Sequence, residues 1–332
     1  MKNALSILIV AIMLLSIIGC EEQDLREPGN LVPKTVMEDL SLPSITVNNA
    51  KLHSEAFGNP DSTMIVVIHG GPGSDYRGML NCKDFVNYGY RVVFYDQRGS
   101  GLSQRFPLSS YTSLGKGAVD AMYDELRGVI AYYRTSPDQK VFLLGHSWGA
   151  ILATSFTGKY PNEVQGLAIQ EPGGLKWDDI MEYMGNSRSF SPFSEFLNNV
   201  NYQDQFITGK ENEHEILDYK FAMQGATKDE NIEPGNFWRL GAVINKGFTM
   251  IGMKYKPDFS EGISNFNIPV LFFYSELNNA YPDSWAVKIT SVFNKVEIHK
   301  VPGTGHEGII SDMNAWRTTS FPKLLSYFES LK

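Results

Sequence analysis

A serine with a glycine two residues to either side, Gly145-His146-Ser147-Trp148-Gly149, carries the sharpest chemical signal in this chain. It follows an apolar run, Val141 to Leu144, and opens a helical pattern from Ala150 to Lys159. An abrupt strand-to-helix turn holds the serine hydroxyl away from the backbone, and glycines at those positions let neighbouring chain pack close. It also leaves the first amides of a helix unpaired beside the hydroxyl, ready to receive an oxyanion. The chemistry predicted is attack by Ser147 on a carbonyl carbon. A second glycine-rich turn, His69-Gly70-Gly71-Pro72-Gly73, follows the apolar run ending at Ile68. Its N–H groups can face the nucleophile, so the amides of Gly71 and Trp148 are the expected oxyanion hole. The bland alternative is a turn that needs glycine only for positive φ. His69 and His146 read as loop-orienting groups.

A serine nucleophile needs a base and an acid. His306, in Pro302-Gly303-Thr304-Gly305-His306, lies just past the last strand pattern and suits the chain order serine, acid, histidine. The acid stays open between two carboxylates. After the run ending at Tyr274 the expected turn holds Asn278 rather than an aspartate. A neutral amide cannot stabilise imidazolium by charge, a loss of roughly four orders of magnitude in comparable triads. Glu171 is preferred because it directly follows the run Gly166 to Ile169, where a side chain at a strand's carboxyl end can reach the site. Glu276, at the end of the next run, reads as pairing or capping locally. No HExxH or similar cluster calls for a metal, and His214 in Glu211-Asn212-Glu213-His214-Glu215 reads as an exposed charged helix face. No cofactor is expected.

The elements that must position these groups follow from the apolar runs Thr63–Ile68, Arg91–Tyr95, Val141–Leu144, Gly166–Ile169, Pro269–Tyr274 and Val296–Lys300. They alternate with helical patterns such as Val119–Tyr133, which predicts an α/β fold with a mostly parallel sheet flanked by helices. Residues 173–262 break the rhythm, rich in aromatic and polar residues with helical stretches such as Glu213–Gln224. They are expected as a mainly helical cap inserted between core segments 45–172 and 263–332. Composition is ordinary for a globular enzyme, 42% hydrophobic and 12% aromatic. About 290 folded residues can bury roughly three quarters of their unfolded surface, so no disulfide is needed. The net charge of −8 without a basic cluster argues against nucleic acid. A small molecule or short peptide is the expected partner, and oligomeric state stays open.

At the start, Met1-Lys2-Asn3 and the apolar run Ala4–Ile18 suit a signal peptide rather than a membrane span. Ser16-Ile17-Ile18-Gly19-Cys20 resembles a bacterial lipobox. The resemblance implies removal of residues 1–19, lipidation of Cys20, and an exported protein held to a membrane by that anchor only. Residues 20–44, with Pro28-Gly29, Pro33 and Pro43, are expected as the lipidated cysteine and a flexible tether. Cys82 is then left without a disulfide partner.

Together with the serine motif and His69–Gly73, the run Tyr95-Asp96-Gln97-Arg98-Gly99-Ser100-Gly101 makes residues 45–170 resemble the proline iminopeptidase branch of the α/β-hydrolases. The resemblance implies attack by Ser147, proton relay by His306, and cap acids that grip a substrate's free amino terminus. Two departures stand out. Asn278 replaces the family's aspartate, and Glu171 resembles the acid position of haloalkane dehalogenases. Phe237-Trp238-Arg239 stands where the family often has a Trp-Glu pair, and Arg239 would suit a carboxylate instead. Asp96 and Arg98 read as a structural ion pair near the site. The function expected is an aminopeptidase of proline iminopeptidase type. The alternatives are a carboxylesterase on small acyl esters, or a catalytically silent hydrolase fold that binds at the cell surface.

Overall fold

The computed structural model describes residues 29–187, 214–225 and 235–332. Residues 1–19, expected as a signal peptide, and Cys20 lie outside the described residues. Eight strands form one sheet: β1 (Ser44–Val47), β2 (Ala50–Phe57), β3 (Met64–Ile68), β4 (Arg91–Tyr95), β5 (Val141–His146), β6 (Gly166–Gln170), β7 (Val270–Ser275) and β8 (Val296–Val301). Their order is β1-β2-β4-β3-β5-β6-β7-β8, with β1–β2 and β2–β4 antiparallel and every other pairing parallel. The central strands are continuous apolar runs because both faces are covered. In β3, Ile65 and Val67 enter the core on one face, while Val66 and Ile68 enter the core on the other. β8 lies at the edge, and its exposed Glu297 and Lys300 keep that edge from pairing further.

The helices repeat this logic. In α1 (Gly117–Tyr133) the buried Met122, Leu126, Val129, Ile130 and Tyr133 make one apolar stripe. α2 (Trp148–Lys159) is buried from Trp148 to Gly158 and runs through the interior behind the sheet. Of residues 173–262, the described portions contain α3 (Trp177–Ser187), α4 (His214–Gly225) and α5 (Ala242–Tyr255), with one isolated bridge, Lys176 to Asp258. α6 (Asp283–Thr290) and α7 (Phe321–Leu331) complete the flanking layers.

From Gly29 onward the segment expected as a tether lies against the domain. Glu215 Oε1 accepts N–H bonds from Gly29, Leu31 and Val32, Val36 is wholly buried, and Val36 N donates to Leu102 O at 2.8 Å. Prolines did suggest a tether, but Val32 and Val36 give the segment apolar surface to bury. Glu215 is thereby engaged and His214 is half-buried, so these two are partly covered rather than exposed, while residues 211–213 of the expected charged face lie outside the described residues. Cys82 is a buried free thiol whose ionisation burial pushes up.

Candidate active site

Ser147 joins β5 to α2 with φ 54° and ψ −119°, a conformation that costs a residue with a Cβ about 1–3 kcal/mol. The surroundings enforce it. Ser147 N donates to Gln170 O at 2.9 Å, pinning the turn to the end of β6. A Cβ on Gly149 would stand 2.0 Å from the Ile68 carbonyl oxygen, and one on Gly145 would stand 2.4 Å from the Gly149 carbonyl oxygen. Only glycine lets strand, turn and helix approach so closely. Ser147 itself is half-buried and opens onto a cavity lined also by Gly70, Gly71, Asp75, His146, Phe237 and Glu307.

Both amides expected at the oxyanion hole border this serine. Trp148 is the first residue of α2, so its N–H has no turn of helix before it to bond. Its side chain points the other way, with Nε1 donating to Gln97 Oε1 at 3.0 Å. Gly71 has φ 115°, and Gly70 backs onto Ser147, where a Cβ would lie 3.1 Å from the serine Cβ. His69 shapes this turn. Its Nδ1 donates to Gly70 O and its Nε2 accepts from Gln97 N.

His306, just past β8, is 6% exposed, and its Nδ1 lies 2.5 Å from Glu171 Oε2. Glu171 follows β6 directly with φ 39° and is wholly buried. Its Oε2 also accepts from Asn278 Nδ2 at 3.0 Å, and its Oε1 accepts both Ser275 N and Ser275 Oγ at 2.5 Å. Burial alone would raise this carboxyl's pKa. The hydrogen bond and charge of His306, with the two bonds from Ser275, overcome that and hold it below the ordinary value. Glu276 lies elsewhere: exposed, it accepts from Gly303 N at 2.8 Å and does not reach the imidazole. Asn278 donates to Glu171 and to Tyr183 Oη on α3, so the amide supports the acid instead of orienting the imidazole directly.

Arg239 departs from expectation. It is 2% exposed, its Nε donates to Asp218 Oδ2 at 2.7 Å, and its Nη1 donates to Pro33 O and to Glu38 Oε2. Asp218 also holds Arg105 Nε and the Ala242 amide. A buried guanidinium needs such partners, and these come from the chain itself, leaving Arg239 a tie between α4, α5 and the amino-terminal segment rather than a substrate contact. Asp96 and Arg98 do not pair with each other. Arg98 binds Glu125 through N and Nε, and Asp96 accepts from His53 Nδ1, Tyr76 N and Leu102 N.

Three contributors were not visible in the sequence. Ser275 supplies two donors to Glu171. Tyr183 reaches Asn278 from the inserted segment. Asp75 is 3% exposed and fastens that segment over the glycine turn by accepting Trp238 N, Arg239 N and Arg77 N. Burial and the neighbouring Asp96 charge push the Asp75 carboxyl up to about 7, against the pull of its three N–H bonds. Gly241 N to Gly73 O at 2.6 Å and Asn245 Nδ2 to Pro72 O at 2.9 Å strengthen the same seam.

One group of side chains among the described residues could share a metal ion: His146, His306 and Glu307, each with a ligand atom within 4.8 Å of the other two. No spacing signal announces it, because the histidines are 160 positions apart.

Residues 63–312 match the α/β hydrolase fold family. Over 138 residues the chain is 31% identical to the AB hydrolase superfamily protein YfhM of Bacillus subtilis, covering 41% of this chain and 45% of that protein. Over 116 residues it is 33% identical to a proline iminopeptidase of Thermoplasma volcanium, covering 35% of this chain and 36% of the relative. The matched stretch therefore spans less than half of either relative. A solved proline iminopeptidase of Mycobacterium smegmatis aligns with a TM-score of 0.57 at 17% identity, over 88% of this chain and all of that one (100%). A carboxylesterase of Nitrososphaera gargenis aligns at 0.60 and 12% identity, over 87% of this chain and 100% of the other. At such identities these superpositions speak to fold alone. The match over 63–312, on a mostly parallel eight-stranded sheet with its serine turn after β5, establishes that the chain belongs to the α/β-hydrolase family.

Proposed function

We propose that this protein is a serine hydrolase that cleaves a small amide or ester through an acyl-enzyme on Ser147. One observation carries the reading: a fully buried carboxylate, Glu171, lies 2.5 Å from Nδ1 of His306, whose ring packs 4.6 Å from that of His146, the residue before a serine held at positive φ. Because a carboxylate only accepts, His306 Nδ1 must carry the proton, and Nε2 takes the proton of Ser147 as its Oγ attacks the carbonyl carbon. The Gly71 and Trp148 amides stabilise the oxyanion, and Glu171 stabilises the imidazolium. His306 then protonates the leaving group, and water repeats the sequence to release the acid.

Within that class we infer an aminopeptidase of proline iminopeptidase type. The curated relatives support it, as does the acidic, half-buried Glu307 in the cavity beside Ser147, which suits a substrate's ammonium group. A carboxylesterase is the second reading. Prolyl and other amino-acyl p-nitroanilides, compared with p-nitrophenyl acetate and butyrate, separate the two. Turnover of the prolyl amide that disappears in Ser147→Ala is expected, and turnover of esters alone overturns the peptidase assignment. On sequence grounds we also propose export and a lipid anchor at Cys20.

A further inference from the structure

We propose that His146, His306 and Glu307 form an inhibitory site for Zn²⁺ that captures the general base. This rests on the hydrolase reading only for its effect on activity; binding of the ion stands separately. The two ring tautomers are fixed by their partners. His146 Nε2 lies 2.9 Å from the His306 carbonyl oxygen, which can only accept, so Nε2 carries the proton and Nδ1 the lone pair. That Nδ1 faces the cavity, where a Cβ on Gly70 would stand 3.5 Å from it. His306 Nδ1–H is directed at Glu171, which makes Nε2 the nitrogen for an ion.

Zinc-binding histidines characteristically donate their other N–H to a carbonyl or a carboxylate, which fixes the ring and raises its basicity. Here both histidines do so, one to a backbone carbonyl and one to a buried carboxylate. The half-buried Glu307 supplies the third ligand from the residue next to His306. Two imidazoles and a carboxylate suit Zn²⁺ over Mg²⁺ or Ca²⁺, which prefer oxygen alone. A tetrahedral ion with bonds of about 2.0–2.1 Å needs ligand atoms about 3.4 Å apart. One ligand atom of each residue already lies within 4.8 Å of the other two, so binding needs a tilt of the two rings as well as a swing of Glu307, the most exposed of the three. An ion on His306 Nε2 occupies the lone pair that accepts the Ser147 proton, and the nucleophile is no longer activated. No bond is made or broken beyond coordination.

The test titrates full-length protein, freed of metal by chelator and exchanged into chelator-free buffer, with ZnCl₂ by calorimetry and by rate. One ion per chain is expected, with inhibition that EDTA reverses and that MgCl₂ does not reproduce. His146→Asn and Glu307→Gln are each expected to weaken binding by roughly tenfold or more, with inhibition scaled to each variant's own metal-free rate. Unfolding curves for both variants confirm that they are folded, and the partly exposed Glu307 makes its variant the safer of the two. Ser147→Ala is expected to bind Zn²⁺ unchanged, so binding remains testable even if the protein hydrolyses neither substrate class. Absence of binding at millimolar Zn²⁺, activation in place of inhibition, or affinity unaltered in both variants overturns the proposal.

Discussion

Glu171→Gln isolates the charge behind His306 while keeping the side chain's size. The carboxylate accepts four donors: His306 Nδ1, Asn278 Nδ2, Ser275 N and Ser275 Oγ. A glutamine amide has one oxygen and one NH₂ to offer. If its oxygen faces Ser275, its NH₂ meets His306 and donates to Nδ1, forcing the proton onto Nε2, where the base can no longer accept from Ser147. If it is flipped, the NH₂ meets the Ser275 amide hydrogen, and imidazolium still lacks its counter-charge. Either way kcat should fall by about 10⁴, equivalent to about 5.5 kcal/mol in the barrier. The mismatched donor should cost about 1–3 kcal/mol of folding stability. Steady-state kinetics on the better substrate, with urea unfolding of the same preparation, separates the two effects. Glu276→Gln serves as the control and should lose little. A folded Glu171→Gln protein with kcat within roughly tenfold of wild type, or a larger loss at Glu276, would refute the reasoning.

Other consequences follow from residues around the site. Burial and Asp96 raise the Asp75 carboxyl from 3.8 to about 7, so its contribution is complete below its unfolded pKa and disappears as pH rises towards 7. The melting temperature of wild type minus that of Asp75→Asn should therefore decline between pH 4.5 and 7, and parallel profiles count against it. Glu171, held below 4.5, acts in the opposite sense: its stabilisation is lost only as pH falls below that value. Arg239→Ala should destabilise the fold by about 3 kcal/mol, the lower end for a broken buried pair, because Arg105 still holds Asp218. It should leave the KM ratio between carboxylate-bearing and neutral substrates unchanged, and a selective rise for the former would restore a substrate role. Cys20→Ser should move the protein from the detergent to the aqueous phase in Triton X-114 partitioning, and unaltered partitioning argues against the anchor.

The parallel core was legible because strands buried on both faces read as uninterrupted apolar runs, as in Met64–Ile68 and Val141–Leu144. The β1–β2 hairpin was not, since Lys51, His53 and Glu55 interrupt its pattern. Its signal was local: Asn48 and Asn49, at φ 48° and 61°, form the positive-φ pair of a tight two-residue turn. Ser147 and His306 were legible because their glycine contexts are local. Glu171 was narrowed only to a pair, because what distinguishes it from Glu276, the donors Ser275 and Asn278, comes from the end of β7 and the turn after it, 104 and 107 positions along the chain. Arg239 misled for a related reason. A guanidinium advertises affinity for carboxylate, yet nothing in its neighbourhood in sequence says that Asp218 and Glu38 already supply it.

Intact-mass analysis after exposure to a fluorophosphonate, followed by peptide mapping, addresses the nucleophile most directly. One adduct per chain is expected, located on Ser147 and missing from Ser147→Ala. An unlabelled wild-type protein that is folded, or an adduct on any other residue, would contradict it.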